Sequence, residues 1–186
     1  MYNNVCILNF SDRNNGNCAN ICSFIENYHA NTNICVFYVS KYFEPCGNCD
    51  YECLKQEEVC PNLTDLQREL FACVANSDIS YYVVPNFCGF PCASYFAFNE
   101  RSVGYFNMDR EVMRRYMSSN KKFILVSNTE SSVFASAMAQ QAKEPDILYL
   151  KTGRYGKHSI AGDMLNSDSA RDDLLQFLSK NHSAST

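Results

Sequence analysis

Strand-like and helix-like segments alternate along all 186 residues of this chain, and this alternation constrains its fold more than any other feature. The strands are short apolar runs with β-branched residues, and the helices carry apolar residues at helical spacing. A β-α unit repeated five times favours α/β architecture, a parallel sheet with helices on both faces. The predicted strands are 5–10, 33–40, 79–84, 123–127 and 147–150, and the predicted helices are 17–29, 62–75, a region ending near 117 with a break near Gly104, 132–142 and 169–180.

Length and composition indicate one globular domain over residues 1–186, of which 46% are hydrophobic and 19% charged. The polar residues 181–186 are expected to fray. No apolar run approaches the roughly 20 residues needed to span a bilayer. The first residues lack the features of a signal peptide, so we expect a cytoplasmic protein with no membrane partner. A net charge of −4 without a Lys/Arg stripe argues against nucleic acid as a partner.

A polar loop follows the first predicted strand and leads into a predicted helix. Open α/β sheets bind ligands at such positions, where helix N–H groups favour an anion. The loop has neither the Gly-Lys-Ser/Thr of a Walker loop nor the G-x-G-x-x-G dinucleotide fingerprint, and an ordinary polar turn is the alternative interpretation. Its candidate binding residues are Ser11, Arg13, Asn17, Cys18 and Ala19.

A second loop begins at Pro85, which removes a backbone donor and is expected to end the third strand. Gly89 lets the main chain approach a ligand closely, although a simple turn with buried aromatic residues is the alternative. The loop after the fourth strand would complete the same pocket by its position, or would serve only as a helix N-cap. The candidate binding residues in these two loops are Pro85, Asn86, Phe87, Cys88 and Gly89, with Ser127, Asn128 and Thr129.

The first loop resembles the S-x-R-x-x-G-N-T/S loop of the NADPH-dependent FMN reductase family, in its iron–sulfur flavoprotein branch. Four residues fall in register with that pattern, and Cys18 stands where the family usually has Thr or Ser. The second loop resembles the family's P-x-Y-x-G, with Phe87 in place of Tyr. The family's later F-x-D-R pattern is matched at the same spacing by Phe98, Glu100 and Arg101.

This resemblance implies a flavodoxin-like fold with strand order 2-1-3-4-5 and FMN at the switch point between strands 1 and 3. It places the FMN phosphate on residues 11–19 and the ring on residues 85–89. The implied activity is that of an NAD(P)H-dependent FMN oxidoreductase that reduces flavin, quinone or another small-molecule acceptor. No protein acid, base or nucleophile is predicted, since the cofactor carries that chemistry. His29, His158 and His182 are expected at the surface.

Two other functions fit the same residues. An electron carrier would take electrons from a protein donor rather than from NAD(P)H, and a degenerate binding module would have lost FMN. The aromatic residues between positions 81 and 106, beside the second loop, predict a homo-oligomer, a homodimer or homotetramer. Packing of these rings within the protein's own core is the alternative.

Four cysteines lie within fifteen residues after the second strand, in the pattern C-x2-C-x3-C-x6-C. Four thiolates on one loop can converge on an iron–sulfur cluster or a zinc ion. The resembled branch uses a similar compact motif, which implies a [4Fe–4S] cluster near FMN, with zinc and reduced thiols as the alternatives. Elsewhere Cys6, Cys35 and Cys73 lie in apolar segments and are expected to act as small hydrophobic residues. The candidate metal ligands are Cys46, Cys49, Cys53 and Cys60.

Overall fold

The computed structural model describes residues 2–41, 45–47, 50, 52–55, 66–129, 133–142 and 145–180. The alternation of strands and helices is confirmed. The strands are β1 Asn4–Asn9, β2 Asn33–Tyr38, β3 Ile79–Phe87, β4 Phe90–Pro91, β5 Lys121–Ser127 and β6 Asp146–Lys151. The helices are α1 Asn17–Tyr28, α2 Gln67–Asn76, α3 Ala93–Met108, α4 Arg110–Ser118, α5 Phe134–Met138 and α6 Asp168–Ser179. Short 3-10 helices occupy Val39–Lys41, Thr152–Tyr155 and Met164–Asn166.

Five parallel strands form the main sheet in the order β2-β1-β3-β5-β6, and the short β4 pairs antiparallel with β3. Counted without β4, this is the predicted flavodoxin-like order 2-1-3-4-5. β2 lies on one side of β1 and β3 lies on the other, so the strand order reverses beside β1. A crevice therefore opens at the carboxyl ends of β1 and β3, where ligands bind in such sheets.

Helices cover both faces of the sheet because the central strands are apolar on both sides. On one face, α1 and α6 pack against residues such as Ile7 and Val83. On the other, α2, α3, α4 and α5 pack against residues such as Leu8 and Tyr82. In this second layer the Phe71 ring lies 4.8 Å from that of Phe98, and both rings are fully buried in the core.

Two helix and strand boundaries differ from the prediction. β3 does not end at Pro85, because that residue still pairs with Val126 of β5, after which the strand turns back into β4. The long helical region breaks at Asp109 rather than near Gly104, and the Asp109 carboxylate caps α4 by accepting from the Val112 N–H at 3.0 Å. Gly104 lies within α3, and the lack of a side chain there leaves room for Cys53: a Cβ atom at this position would lie 3.2 Å from the Cys53 sulfur.

The predicted frayed tail, residues 181–186, lies outside the described residues and remains a prediction. None of the helices in the described ranges is long and apolar enough to cross a membrane.

Candidate functional site

A cleft opens at the carboxyl ends of β1, β3 and β5, and all three predicted loops line it. The first loop, the second loop and the end of β5 lie next to one another because these strands are neighbours in the sheet. The cleft is lined by Ser11, Arg13, Gly16, Asn17, Cys18, Pro85, Asn86, Phe87, Val126, Ser127, Asn128, Ser159 and Ile160.

The first loop is folded by hydrogen bonds within itself. The Asn9 side-chain oxygen accepts from the Ser11 N–H at 2.9 Å, and the Ser11 hydroxyl accepts from the Arg13 N–H at 3.3 Å. The turn closes where the Gly16 N–H donates to the Arg13 carbonyl at 3.4 Å. Helix α1 then begins at Asn17 without a side-chain cap. Its first-turn N–H groups, which have no acceptor within the helix, are therefore suited to bind an anion.

The charge of the cleft also suits an anion. Among the described residues that line it, Arg13 is the only charged one. Lys41 lies close to the same loop, its Nζ donating to the Asn14 side-chain oxygen at 3.2 Å. Burial raises the pKa of the Cys18 thiol to about 12, assisted by the nearby Cys92. Cys18 is therefore neutral near pH 7 and adds no negative charge beside the helix N-terminus.

The second loop is a tight β-hairpin rather than a simple strand end. Cys88 and Gly89 have φ angles of 51° and 91°, and Phe87 pairs with Phe90 across them. Positive φ at both central residues is typical of a type I′ turn, which matches the twist of the flanking strands. The hairpin leaves Phe87 64% exposed and Phe90 50% exposed at the rim of the cleft.

The third loop is held to the second by a buried amide. The Asn86 side-chain nitrogen donates to the Ser127 hydroxyl at 2.8 Å and to the Thr129 hydroxyl at 3.2 Å. The Ser127 hydroxyl in turn accepts from the Thr129 N–H at 2.9 Å. The position of the loop was predicted from strand order, but this link through Asn86 was not.

A fourth segment, residues 157–164, also lines the cleft and was not predicted as part of it. The Arg13 guanidinium donates to the Ile160 carbonyl at 2.6 Å, and the Asn17 side-chain nitrogen donates to the Ser159 carbonyl at 3.3 Å. The Asn17 side-chain oxygen accepts from the Met164 N–H at 3.0 Å. Asn17, predicted to bind a ligand, thus uses its side chain to hold this segment.

One glycine allows the segment to lie so close to the first loop. Gly162 has a φ angle of 71°, and a Cβ atom there would be 2.4 Å from the Asn15 carbonyl oxygen. A glycine between the last strand and the last helix was the only sequence signal for this approach, and glycines are common in loops of every kind.

Four of the predicted binding residues do not line the cleft. Ala19 is buried in α1, and Thr129 holds the side chain of Asn86. Cys88 and Gly89 form the tip of the hairpin. These four residues shape the loops, and their predicted role in binding remains a prediction.

The predicted metal ligands are only partly described, since Cys49 and Cys60 lie outside the described residues. The Cys46 N–H donates to the Glu100 carboxylate at 3.2 Å, and the Cys53 carbonyl accepts from the Asn107 side chain. Both contacts hold this loop against α3. Over the ranges that the structure covers, no three His, Cys, Asp or Glu side chains are grouped so that they could hold a metal ion.

The prediction that His29 lies at the surface is wrong. Its side chain is 7% exposed, and its Nε2 atom lies 2.9 Å from the Tyr81 hydroxyl. Burial lowers the pKa of His29 below its ordinary value, and Lys122 adds to the effect. His29 lies at the end of α1, opposite the end that begins at the cleft, so its role is structural. His158 is exposed as predicted, and His182 lies outside the described residues.

Comparison with known proteins supports the fold. No family model and no curated protein matches the sequence. A proposed quinone reductase from Klebsiella pneumoniae has a similar structure, with a TM-score of 0.60 and 12% identity over 96% of this chain and 85% of that one. An azoreductase from Bacillus anthracis str. Sterne has a TM-score of 0.53 and 10% identity, with 95% of each chain covered.

A third similar structure is FerB, a flavoenzyme NAD(P)H:(acceptor) oxidoreductase from Paracoccus denitrificans, with a TM-score of 0.52 and 8% identity over 96% of both chains. The protein thus shares the flavodoxin-like fold of these reductases across nearly its whole length.

Proposed function

We propose that this protein binds FMN in the cleft and uses NAD(P)H to reduce a small-molecule acceptor such as a flavin or a quinone. The observation that carries the proposal is the uncapped N-terminus of α1 beside Arg13, at the point where the strand order reverses. Proteins described as a quinone reductase, an azoreductase and an NAD(P)H:(acceptor) oxidoreductase share the fold, and these names support the same class of reaction.

The residues of the cleft fit an FMN phosphate. Free N–H groups in the first turn of α1 and the Arg13 guanidinium supply donors, and a guanidinium has five N–H groups, so the bond to Ile160 leaves others. The protonated Cys18 thiol avoids charge repulsion with the phosphate. The backbone of Pro85–Phe87 and the Ser127–Asn128 loop would hold the ring, on the opposite wall of the cleft.

When bound, FMN would supply hydride and electron transfer, which no side chain of the cleft can perform. The protein's own part is to bind the phosphate, to orient the ring on the second loop, and to keep water from one face of it. Buried hydrogen bonds from Asn86 to Ser127 and Thr129 fix the second and third loops relative to each other. Such a fixed wall suits a flat, rigid group.

Titration of the purified protein with FMN tests the proposal. Quenching of flavin fluorescence is expected, and Arg13→Ala should weaken binding by about 10- to 150-fold, the loss of one charge-assisted hydrogen bond worth roughly 1.5–3 kcal/mol. Arg114→Ala is the matched control, because Arg114 lies on α4 and pairs with Glu111 at the surface. A protein that neither carries nor quenches flavin would be the degenerate module, and the proposal would be wrong.

Anaerobic titration of the FMN-loaded protein with NADH or NADPH separates an enzyme from an electron carrier. Bleaching of the flavin absorbance within a turnover time of seconds is expected. A flavin that stays oxidised in both titrations, yet is reduced by dithionite, would identify a carrier with a protein electron donor.

The cysteine loop adds a finer prediction, a [4Fe–4S] cluster held by Cys46, Cys49, Cys53 and Cys60. The support is the sequence pattern, together with the two contacts that dock Cys46 and Cys53 on α3. Anaerobic reconstitution with iron and sulfide should give brown protein with about four irons per chain, and Cys49→Ala should lose the colour but keep FMN. Protein that stays free of iron would reject the cluster.

We also infer that the active form is a homodimer or homotetramer, with a second copy of the chain covering the exposed rings beside the cleft. Phe87, Phe90 and Phe96 are 64%, 50% and 48% exposed, which is unusual for three neighbouring aromatic residues of a monomer. Light scattering at micromolar concentration should give a multiple of 21.2 kDa. A mass of one chain would reject the oligomer.

A further inference from the structure

A second cavity lies at the opposite end of the sheet from the cleft, beside the amino ends of β1 and β2. It is a groove of about 460 Å³ between the edge strand β2 and helix α2. Cys35 and Cys73 line it, together with Asn4, Val5, Asn33, Phe37, Glu69, Ala72, Asn76 and Ser77. The groove shares no residue with the cleft, and the proposed flavin chemistry does not use it.

Three cysteines from three elements converge beside this groove. Cys6 of β1 and Cys35 of β2 are direct partners in the parallel register, so their side chains emerge on the same face of the sheet. Cys73 approaches that face from α2. Cys73 lines the groove together with Cys35 and packs against the buried cluster that contains Cys6. Its sulfur lies 3.9 Å from the hydroxyl oxygen of Ser77, whose O–H donates to the Cys73 carbonyl at 2.7 Å.

The surroundings of Cys73 make it the most acidic thiol of the three. Hydrogen bonds from Cys6, and then from Cys35 and Ser77, outweigh burial and lower the pKa of Cys73 to about 6. The contact with Cys73, and then burial, raises the pKa of Cys6, whereas burial, and then the contact with Cys73, raises the pKa of Cys35. Among the described residues that line the groove, Glu69 is the other ionisable group, one turn earlier on α2. Of the three thiols, Cys73 is therefore the one that is ionised near pH 7.

Exposure distinguishes the two neighbours of Cys73. Cys6 is fully buried beneath the strands, whereas Cys35 is exposed at the groove and Cys73 is partly exposed. A small oxidant in the groove could thus reach Cys73 and Cys35 but not Cys6. Cysteine reactivity requires both thiolate character and access. Cys73 has both, and Cys35 has the access that a second, resolving thiol needs.

We propose that Cys73 and Cys35 form a redox-active thiol pair, in which Cys73 reacts with hydrogen peroxide and Cys35 then closes a reversible disulfide between α2 and β2. The Cys73 sulfur attacks one peroxide oxygen, the O–O bond breaks, and the departing oxygen takes a proton and leaves as water. The Cys35 sulfur then attacks the resulting sulfenic acid, an S–S bond forms, and the S–O bond breaks to release a second water. Two thiols lose two electrons, and the peroxide gains them.

Mapping of the disulfide tests the proposal on the full-length reduced protein. The protein is treated with a few equivalents of hydrogen peroxide, alkylated, digested without reductant and sequenced by fragmentation mass spectrometry. A Cys35–Cys73 linkage, reversed by dithiothreitol, is expected as the main product. A main linkage between any other two cysteines, Cys6–Cys73 included, or no linkage at all, would overturn the proposal.

Two single variants separate the roles of the two thiols. Cys73→Ser should abolish the reaction, leaving Cys35 reduced. Cys35→Ser should stop it one step later, so that dimedone labels Cys73 as the sulfenic acid. If Cys35→Ser gives no dimedone adduct on Cys73, or if Cys73→Ser leaves Cys35 oxidised to the same extent, the assigned roles are wrong. Far-UV circular dichroism is the control that checks whether each variant is folded.

The pH dependence of alkylation gives an independent readout in the unmodified protein. The rate at which iodoacetamide labels Cys73 should reach half its maximum near pH 6, whereas an ordinary thiol does so near pH 8.5. Steric hindrance scales the whole profile and leaves its midpoint unchanged. Cys22 is the internal control, since burial raises its pKa and it should react only on unfolding. A Cys73 midpoint at or above 8.5 would contradict the proposal.

Discussion

Replacement of Asn17 by alanine probes the part of the cleft that sequence reasoning missed. The Asn17 side chain is 4% exposed and makes two hydrogen bonds, donating to the Ser159 carbonyl and accepting from the Met164 N–H. Alanine removes both bonds and leaves the Met164 N–H buried without that acceptor. We therefore expect Asn17→Ala to lower the free energy of unfolding, whether or not a cofactor is present.

The expected magnitude follows from the two bonds. A buried N–H left without its acceptor costs about 1–3 kcal/mol, and the lost bond to the Ser159 carbonyl adds about 0.5–1.5 kcal/mol. Alanine has a better helix propensity than asparagine, which offsets roughly 0.5 kcal/mol. The net loss should be about 1–4 kcal/mol, with a middle value near 2.5 kcal/mol.

Asn20→Ala is the matched control. Asn20 lies one turn later on the same helix and holds the same segment, its side-chain nitrogen donating to the Gly162 carbonyl at 2.6 Å. Because that bond is exposed to water, its loss should cost only about 0.5–1 kcal/mol. Both substitutions gain the same helix propensity, so the difference of about 2 kcal/mol reports how much more the two buried bonds contribute than the exposed one.

Urea unfolding followed by circular dichroism measures both variants, without added FMN. The expected difference of about 2 kcal/mol between the two variants corresponds to about 4–8 °C in melting temperature for a chain of this length. If the two variants lose the same free energy within about 0.5 kcal/mol, a scale set by the weakest hydrogen bonds, the Asn17 side chain does not hold the segment. Binding of a ligand, as the sequence predicted, would then be the only role left for the Asn17 side chain.

Two further predictions concern backbone and pH. Gly162→Ala should lower the free energy of unfolding by about 1–2 kcal/mol from its left-handed backbone alone, and the clash with the Asn15 carbonyl should add to the loss. It should also weaken FMN binding, because the clash displaces residues 157–164 from the cleft. Gly153→Ala, where a Cβ meets nothing within 4 Å, is the control in the same unfolding and titration assays. Since burial holds the pKa of folded His29 below its ordinary 6.5, the unfolded chain binds more protons, so stability should fall as the pH drops through 6.5. His29→Gln should flatten urea-unfolding stability between pH 7.5 and 5.5, and an unchanged slope would exclude His29 as the cause.

The fold could be predicted from the sequence because each strand and helix is encoded locally. Apolar runs and helical spacing predicted the five strands of the main sheet along the chain. The order of these strands across the sheet followed from the resemblance. The errors arose where a distant residue changes the local rule. Pro85 continues β3 because β5 pairs with it, and Gly104 lies within α3 at a place where Cys53 leaves little room for a side chain.

The site was predictable to the level of loops but not of side-chain partners. Three loops were expected at one edge of the sheet because the carboxyl ends of parallel strands meet there, and all three line the cleft. The partners of Asn17 lie 142 and 147 residues away in sequence, and no local pattern indicates such pairs. Asn17 was accordingly interpreted as a ligand donor by type and position, whereas its amide is used within the protein.

The same limit explains why Cys6, Cys35 and Cys73 were interpreted as small hydrophobic residues. Each lies in an apolar segment, and within its own segment each is an ordinary packing position. Only the parallel register of β1 with β2, and the packing of α2 across them, brings the three sulfurs together. A thiol changes from a packing residue to a reactive one through its neighbours, and here the neighbours come from three separate elements. The two proposed sites thus lie at opposite ends of the sheet, the anion-binding cleft where the strands end and the thiol pair where they begin, and only the cleft has a local sequence motif.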